Sequence, residues 1–316
     1  MKVNSAKSTV SVKFPSLFSL AVCLAAFVWA CQAQADAQNT NARTISLNIS
    51  FKDGTVIRDV KKDELIVAVG GTRINEFDLE FKPQPAAYVL AIDNSGSLRE
   101  IFPDLMKSAR TIHRRDAEND VVLLMRFVSK DKIQIAERFS SDPGYLDSKL
   151  AMFQVEGGQT AVIDAIHKAV QIVSGQSGLG KESRRAVIVL SDGEDRDSQN
   201  SVEALRDLIA RENVQVFFLG LTELLSKESG FVGKSPRQKS REFIELIAKE
   251  SGGVALFPKI EDLETDAVKL VTLLNQQYSL ILRTPSELPK GSKIDISFAP
   301  DTNRKKAVLN YKARIN

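Results

Sequence analysis

A short apolar segment that ends abruptly in oxygen-bearing side chains constrains the fold of this chain more than any other feature. Residues 88–92 have the pattern of a buried β-strand, and the pattern stops at Asp93. The next side chains follow the order Asp-x-Ser-x-Ser, which puts hydroxyls at Ser95 and Ser97. A single turn can therefore direct one carboxylate and two hydroxyls at one hard cation. In an open parallel sheet, ligands bind at this carboxyl edge.

Strand and helix patterns alternate from residue 87 to residue 276, which predicts an α/β domain. The predicted strands are 87–92, 121–127, 133–139, 186–190, 214–219 and 254–257, and the predicted helices are 99–115, one within 142–153, 160–173, 201–211, 241–250 and 263–276. The link at 129–131 is too short for a parallel crossover, so its two strands should form an antiparallel hairpin. Six strands suit a doubly wound, mostly parallel sheet in the order 3-2-1-4-5-6. A polar stretch at 222–239 is predicted to be a surface loop.

This strand order places the first strand beside the fourth, and the fourth also runs into an aspartate, Asp192. Asp93 and Asp192 should therefore lie close together, where two carboxylates repel unless a cation or a proton intervenes. The loop Gly157-Gly158-Gln159-Thr160 can bring a further hydroxyl to the same place. The sequence therefore predicts a cation site at this edge.

Simpler interpretations exist for several of these residues. Ser97 and Glu100 have the spacing of a capping box, so Ser97 can be interpreted as a helix cap. Thr160 can be interpreted in the same way. The only histidines, His113 and His167, fall within helix patterns and are interpreted as structural.

The candidate ligands resemble, as a set, the metal-ion-dependent adhesion site of von Willebrand factor type A (VWA) domains. The resemblance covers roughly residues 85–277, and it implies a Rossmann-like fold and a divalent cation, Mg²⁺ or else Mn²⁺ or Ca²⁺. It implies that the two serines are direct ligands, that the other three residues bind directly or through water, and that a partner protein's Asp or Glu carboxylate takes the open position. The five residues are Asp93, Ser95, Ser97, Thr160 and Asp192.

The two flanks of this domain have strand patterns, at 44–82 and at 278–314. The prolines of Lys82-Pro83-Gln84-Pro85 favour an extended connection and indicate a boundary. Neither flank is long enough to bury a core alone, so we expect the two to pair in one β-rich module beside the VWA domain at 85–277. The N-terminal flank also resembles the lead-in of exported bacterial proteins related to this domain.

The first 35 residues have the pattern of a secretory signal peptide. Three lysines precede an apolar run at 17–30, which is shorter than the roughly 18 residues needed to span a bilayer. The expected mature protein is exported, to the periplasm, the cell surface or the medium, without a transmembrane span. An uncleaved anchor helix and a lipid anchor at Cys31 are the alternatives. Because Cys23 and Cys31 are the only cysteines, a thiolate site in the mature chain is excluded.

Net charge gives no support for a nucleic-acid partner. The full chain has 43 basic and 40 acidic residues, and loss of Lys2, Lys7 and Lys13 with the signal leaves 40 of each. The mature chain is therefore neutral overall, and its partners are expected to include no nucleic acid.

Two classes of function fit a magnesium ion held between aspartates. The first is a metal-dependent protein-binding module for adhesion or scaffolding, and the alternative is a secreted Mg-dependent hydrolase or phosphatase. Phosphatases with a nucleophilic aspartate usually need a second acid two positions later, where this chain has Ser95. No serine-hydrolase or nucleotide-binding motif accompanies the strands. We therefore predict a binding protein that is not an enzyme.

The signal-peptide interpretation predicts that the mature chain begins near Asp36. N-terminal sequencing or mass spectrometry of protein purified from the native host measures this directly. An intact Met1 would contradict the prediction, and a diacylated Cys31 would replace it with a lipoprotein.

Overall fold

A computed structural model describes residues 41–114, 120–176, 183–228, 233–284 and 288–314. The predicted signal peptide at 1–35, with Cys31, lies outside the described residues. Contacts divide the chain into two units, of which the first comprises Arg43–Leu282 with Leu288–Asn316 and contains the features analysed below. The second comprises Met1–Ala42 with Arg283–Glu287, and only residues 41, 42, 283 and 284 of it are described. Among the described helices, none combines the length and apolar character required to cross a membrane.

The elements are named in chain order. The strands are β1 (Asn41–Phe51), β2 (Leu65–Val69), β3 (Thr72–Ile74), β4 (Phe77–Phe81), β5 (Ala86–Asp93), β6 (Val121–Phe127), β7 (Ile133–Ile135), β8 (Arg184–Ser191), β9 (Gln215–Gly220), β10 (Ala255–Leu256), β11 (Tyr278–Thr284), β12 (Ile294–Phe298) and β13 (Ala307–Tyr311). The α-helices are α1 (Phe102–Arg114), α2 (Pro143–Leu150), α3 (Val162–Gly175), α4 (Val202–Arg211), α5 (Pro236–Ser251) and α6 (Leu263–Asn275).

The central sheet has the order β10-β9-β8-β5-β6-β7, and all of its pairings are parallel except the antiparallel pair β6-β7. This confirms the predicted α/β class, the strand order and the hairpin. Every residue of β5 is buried, as expected for a central parallel strand that is covered on both faces. One apolar layer lies between the sheet and helices α1, α2 and α6, and the other between the sheet and helices α3, α4 and α5.

Several element boundaries differ from the prediction. The third strand of the domain ends at Ile135 rather than at residue 139. Helix α5 starts at Pro236, before the predicted residue 241, because the Ser235 side chain accepts a hydrogen bond from the Gln238 amide and proline suits the first helical position. Thr222 is buried, so the predicted surface loop at 222–239 begins inside the core.

The flanking strands form two further sheets. One has the order β13-β1-β11-β4 and the other the order β12-β2-β3. The registers join distant parts of the chain, with Ile49 opposite Leu309 and Val67 opposite Ile296 in antiparallel pairs. The Gly70-Gly71 turn between β2 and β3 has φ values of 57° and 83°, which favour glycine at both positions of a tight hairpin. The two sheets enclose their own apolar core.

The domain boundaries at 44–82, 85–277 and 278–314 stay a prediction that truncation can test. Deleting 278–314 removes the partners of β1, β2 and β4, and deleting 41–82 removes the partners of β11, β12 and β13. Each single deletion should expose unpaired strands and promote aggregation, whereas residues 85–277 alone should stay soluble. Light scattering and gel filtration measure the aggregation of each truncated protein. If each single deletion leaves the protein as soluble as the double deletion does, the two flanks are independent of each other.

Candidate metal centre

Parallel pairing of β5 with β8 brings the two predicted aspartates to one edge of the sheet. Ile92 lies opposite Leu190 in this pair, so the two strands end at the same level of the sheet. Asp93 is the last residue of β5, and Asp192 follows the last residue of β8. Both carboxylates are buried, with exposed fractions of 0% and 1%.

Hydroxyls connect the two loops at this edge. The Ser95 and Ser97 Oγ atoms lie 2.9 Å apart, and Ser97 Oγ donates to Asp192 Oδ2 over 2.9 Å. Asp93 Oδ1 accepts a hydrogen bond of 2.9 Å from the Ser95 amide. Ser97 is exposed while Ser95 is buried, so the cluster is open to solvent on the Ser97 side. The structure therefore brings four of the five predicted site residues into one hydrogen-bonded cluster.

Thr160 lies on the neighbouring loop. Its carbonyl oxygen accepts hydrogen bonds of 2.8 Å and 3.1 Å from the amides of Arg196 and Asp197, which belong to the segment after Asp192. Among the described residues, no hydrogen bond connects its side chain to the four clustered residues. Thr160 is buried and immediately precedes Ala161, which is the residue before helix α3.

The helix-cap interpretations of the two hydroxyl residues are wrong. Ser97 lies inside a 3-10 turn, Gly96–Ile101, and its hydroxyl bonds to Asp192 instead of capping a helix. The position before α3 belongs to Ala161, not to Thr160. Neither hydroxyl is therefore used to cap a helix.

Burial disfavours charge on both carboxylates, and the charge of Asp192 adds to this effect on Asp93. Burial, followed by the charge of Asp192, raises the pKa of Asp93 to about 7, against the opposing hydrogen bonds from Ser191 and Ser95. Burial is also the main cause that raises the pKa of Asp192. A nearby cation would reverse both shifts, because it favours the charged form of each carboxyl group.

Two residues that sequence reasoning did not assign to the site support it. Ser191 Oγ donates to Asp93 Oδ2 over 2.7 Å and accepts from the Gly193 amide over 3.0 Å, so it fixes the second carboxylate oxygen. The Asn94 side chain donates to the Gln154 carbonyl over 2.8 Å and holds the loop after α2. The sequence signal for Ser191 was its position directly before Asp192, at the end of a predicted strand.

The acidic residues after Asp192 connect loops. Asp195 accepts a hydrogen bond of 3.1 Å from the Ile163 amide in the first turn of α3, and Asp197 accepts one of 3.1 Å from the Lys130 amide. These contacts position the segment that also holds the carbonyl of Thr160. Gly193 has a φ of 77°, a left-handed conformation that favours glycine at this turn.

The donor set fits a small, hard divalent cation. Two ligands at right angles around Mg²⁺, each at about 2.0–2.1 Å, lie about 2.9 Å apart. The oxygen separations from Ser95 to Ser97 and from Ser97 to Asp192 are both 2.9 Å. The described residues contain no cluster of three or more His, Cys, Asp or Glu side chains with metal-site geometry. A cation here would therefore depend on hydroxyl ligands as well as on the two carboxylates.

The histidines are not part of this cluster. His113 Nε2 lies 3.0 Å from Asp147 Oδ1, which connects α1 to α2, and His167 lies within α3. Burial is the main cause that lowers the pKa of both imidazoles. The contact of His113 agrees with the structural role predicted for it, and the position of His167 within α3 agrees with the predicted helix.

Comparison with solved structures finds similar folds at low sequence identity. An aerotolerance-related membrane protein from Bacteroides fragilis NCTC 9343 is 19% identical, with a TM-score of 0.47 over 60% of this chain and 98% of that chain. The SpRpn10 VWA domain is 16% identical, with a TM-score of 0.41 over 58% and 94%. Manganese-loaded Plasmodium vivax TRAP protein is 13% identical, with a TM-score of 0.42 over 75% and 96%. No curated protein sequence matches the chain.

A family comparison gives a direct assignment. The model of the von Willebrand factor type A domain matches residues 89–265, which is more than half of the chain and includes all five candidate ligands. The chain therefore belongs to the von Willebrand factor type A domain family, whose domain is a protein-interaction module.

Proposed function

We propose that this protein is an exported, metal-dependent binding module that holds an acidic group of a partner protein through a divalent cation. The observation that carries the proposal is the buried pair Asp93 and Asp192, which the Ser95 amide and the Ser95 and Ser97 hydroxyls connect through contacts of 2.9 Å. Mg²⁺ suits these separations best, and Mn²⁺ or Ca²⁺ are the alternatives.

Each candidate ligand has a distinct role in this proposal. Ser95 and Ser97 would bind the cation directly through their hydroxyls, and Asp93, Thr160 and Asp192 would bind it directly or through water. The cation, when bound, supplies an electrophilic centre that attracts an oxygen ligand of the partner. The exposure of Ser97 supports an approach of that ligand from the solvent side.

The charge of the donor set favours an acidic partner group. The cluster has only two carboxylates, which together balance the charge of one divalent cation. A further carboxylate would therefore meet less repulsion here than in a site with three or four acidic ligands. This supports an Asp or Glu side chain of the partner as the ligand.

The enzymatic alternative receives no support from the geometry. Asp93 is fully buried and both of its oxygens accept hydrogen bonds, so it is not free to attack a phosphoryl group. The histidines are held in helices outside the cluster and are not positioned to act as a base. We therefore propose binding without catalysis.

Thermal melting with and without metal tests the proposal. A ligand that binds only the folded state at 100 times its Kd stabilises it by about 2.7 kcal/mol, so the wild type should melt at higher temperature in excess Mg²⁺ than in chelator. Asp93→Ala and Ser95→Ala should lose this gain. In chelator, Asp93→Ala should be the more stable of the two variants, because it also removes the repulsion with Asp192.

Ser201→Ala is the matched control for these melts. The Ser201 side chain accepts from the Ala204 amide at the start of α4, outside the cluster, so this variant should melt earlier and keep the full gain from Mg²⁺. A wild type whose melting ignores Mg²⁺, Mn²⁺ and Ca²⁺ alike would overturn the proposed cation site.

Ser191→Ala tests whether the Ser191 hydroxyl orients the Asp93 carboxylate for metal binding. Loss of its hydroxyl leaves Asp93 Oδ2 without its 2.7 Å donor, so the carboxylate is less well oriented. Loss of a hydrogen bond that orients a metal ligand typically lowers metal affinity by about tenfold or more. The affinity for Mg²⁺ should therefore fall by about that factor without being lost. Isothermal titration calorimetry measures the change. Unchanged affinity would show that Ser191 has no positioning role.

A further inference from the structure

A cleft in the β-rich flank combines an apolar floor with a basic rim. Its volume is about 570 Å³, within the usual range of ligand sites. The floor is made by four apolar side chains, of which Ile74 is partly exposed and the others are buried. They are Leu65, Val67, Ile74 and Phe77. The edge of the apolar core between the two smaller sheets therefore reaches this cleft, where Ile74 is its partly exposed side chain.

Three exposed cations line the same cleft. Lys61, Lys62 and Arg73 form no ion pair with a carboxylate among the residues that the structure describes. The Lys62 Nζ lies 5.0 Å from the centre of the Phe77 ring, which keeps its charge over the apolar floor. Asp63 is the one acidic residue of the lining, so the cleft has a net positive charge.

Another basic groove, between α1 and α6, differs in this respect. There Lys107 pairs with Glu264 at 2.7 Å, and Arg110 and Arg114 both pair with Asp147. Those cations already form ion pairs within the chain, whereas the cations of the β-rich cleft form none with the carboxylates that the structure describes. The β-rich cleft is therefore the better place for an external anionic group.

A short edge strand borders the cleft. Strand β3 is only three residues long and has β2 as its single neighbour in the described sheet. Ile74 of β3 lies opposite Val67 of β2, so both contribute to the floor on one face. An extended segment can follow such an edge, with backbone hydrogen bonds on one side and an apolar side chain in the cleft.

We propose that this cleft binds an extended acidic segment of a partner protein that carries an apolar anchor residue. The apolar anchor would contact the floor, and the acidic residues would pair with Lys61, Lys62 and Arg73, which form no ion pair with a described carboxylate. This surface is separate from the metal centre and goes beyond the function proposed above, because it does not require a cation.

A labelled peptide tests the proposal in the presence of chelator, where the metal centre cannot contribute. The probe is a fluorescein-labelled peptide with two central leucines flanked by aspartates, and the measurement is fluorescence anisotropy on the purified protein. The combined substitutions Lys61→Glu, Lys62→Glu and Arg73→Glu should weaken binding by about tenfold or more. Ile74→Ser should weaken binding by several fold, because it removes part of the floor.

The matched control reverses three exposed lysines elsewhere, with Lys227→Glu, Lys239→Glu and Lys290→Glu, and makes the same change in net charge. This control should weaken binding by less than about twofold. Melting curves check that each variant is folded, and substitution of the three cleft cations by Gln replaces the reversal if the latter fails to fold.

Several results would overturn the proposal. Equal weakening by the cleft and control reversals would mean that only overall charge matters. Equal binding of a peptide whose leucines are replaced by serines would remove the role of the floor. Dodecanoate that displaces the peptide and binds more tightly would identify a small amphiphile as the occupant. A dimer of the protein that is lost on reversal of the cleft cations would identify a second copy of this chain instead.

Discussion

The parallel pairing of β5 with β8 is the constraint on which the candidate site depends. It aligns Ile92 with Leu190, so the two strands leave the sheet together and their terminal carboxylates meet. Both strands are buried along their central residues, which fixes their register through packing on two faces. A shift of register would separate the carboxylates and break the hydroxyl links between the loops. The chemistry of the edge is therefore a consequence of how the core packs.

Burial of two neighbouring carboxylates is unfavourable, and the local structure offsets part of that cost. Asp93 receives one hydrogen bond from the Ser95 amide and one from the Ser191 hydroxyl, and Asp192 receives one from Ser97 and one from the Glu194 amide. The pKa values of both carboxyl groups nevertheless stay raised. The free energy that holds these groups in place comes from the surrounding apolar layers.

Sequence patterns predicted the strand order and the meeting of the two aspartates, because hydrophobic periodicity and chain-crossing rules determine both. They did not predict the roles of Ser191, Asp195 and Asp197, since these depend on contacts with residues far away in the chain. Thr160 was assigned to a helix start, but the helix begins after Ala161. The sequence of the 44–82 flank gave no candidate binding residues, because the residues that line its cleft come together only when β2, β3 and β4 pack against one another.

Several contacts attach the β-rich flank to the amino edge of the central sheet. Gln215 at the start of β9 and Gln277 after α6 exchange side-chain hydrogen bonds of 3.2 Å and 3.0 Å. Gly252 has a φ of 77°, and an added Cβ would lie 2.5 Å from the Lys312 amide nitrogen, so the C-terminal chain packs closely there. With β5 and β8 eight residues long, the two edges are about 25 Å apart. These contacts therefore anchor the flank at the end of the sheet opposite Asp93, which is the last residue of β5.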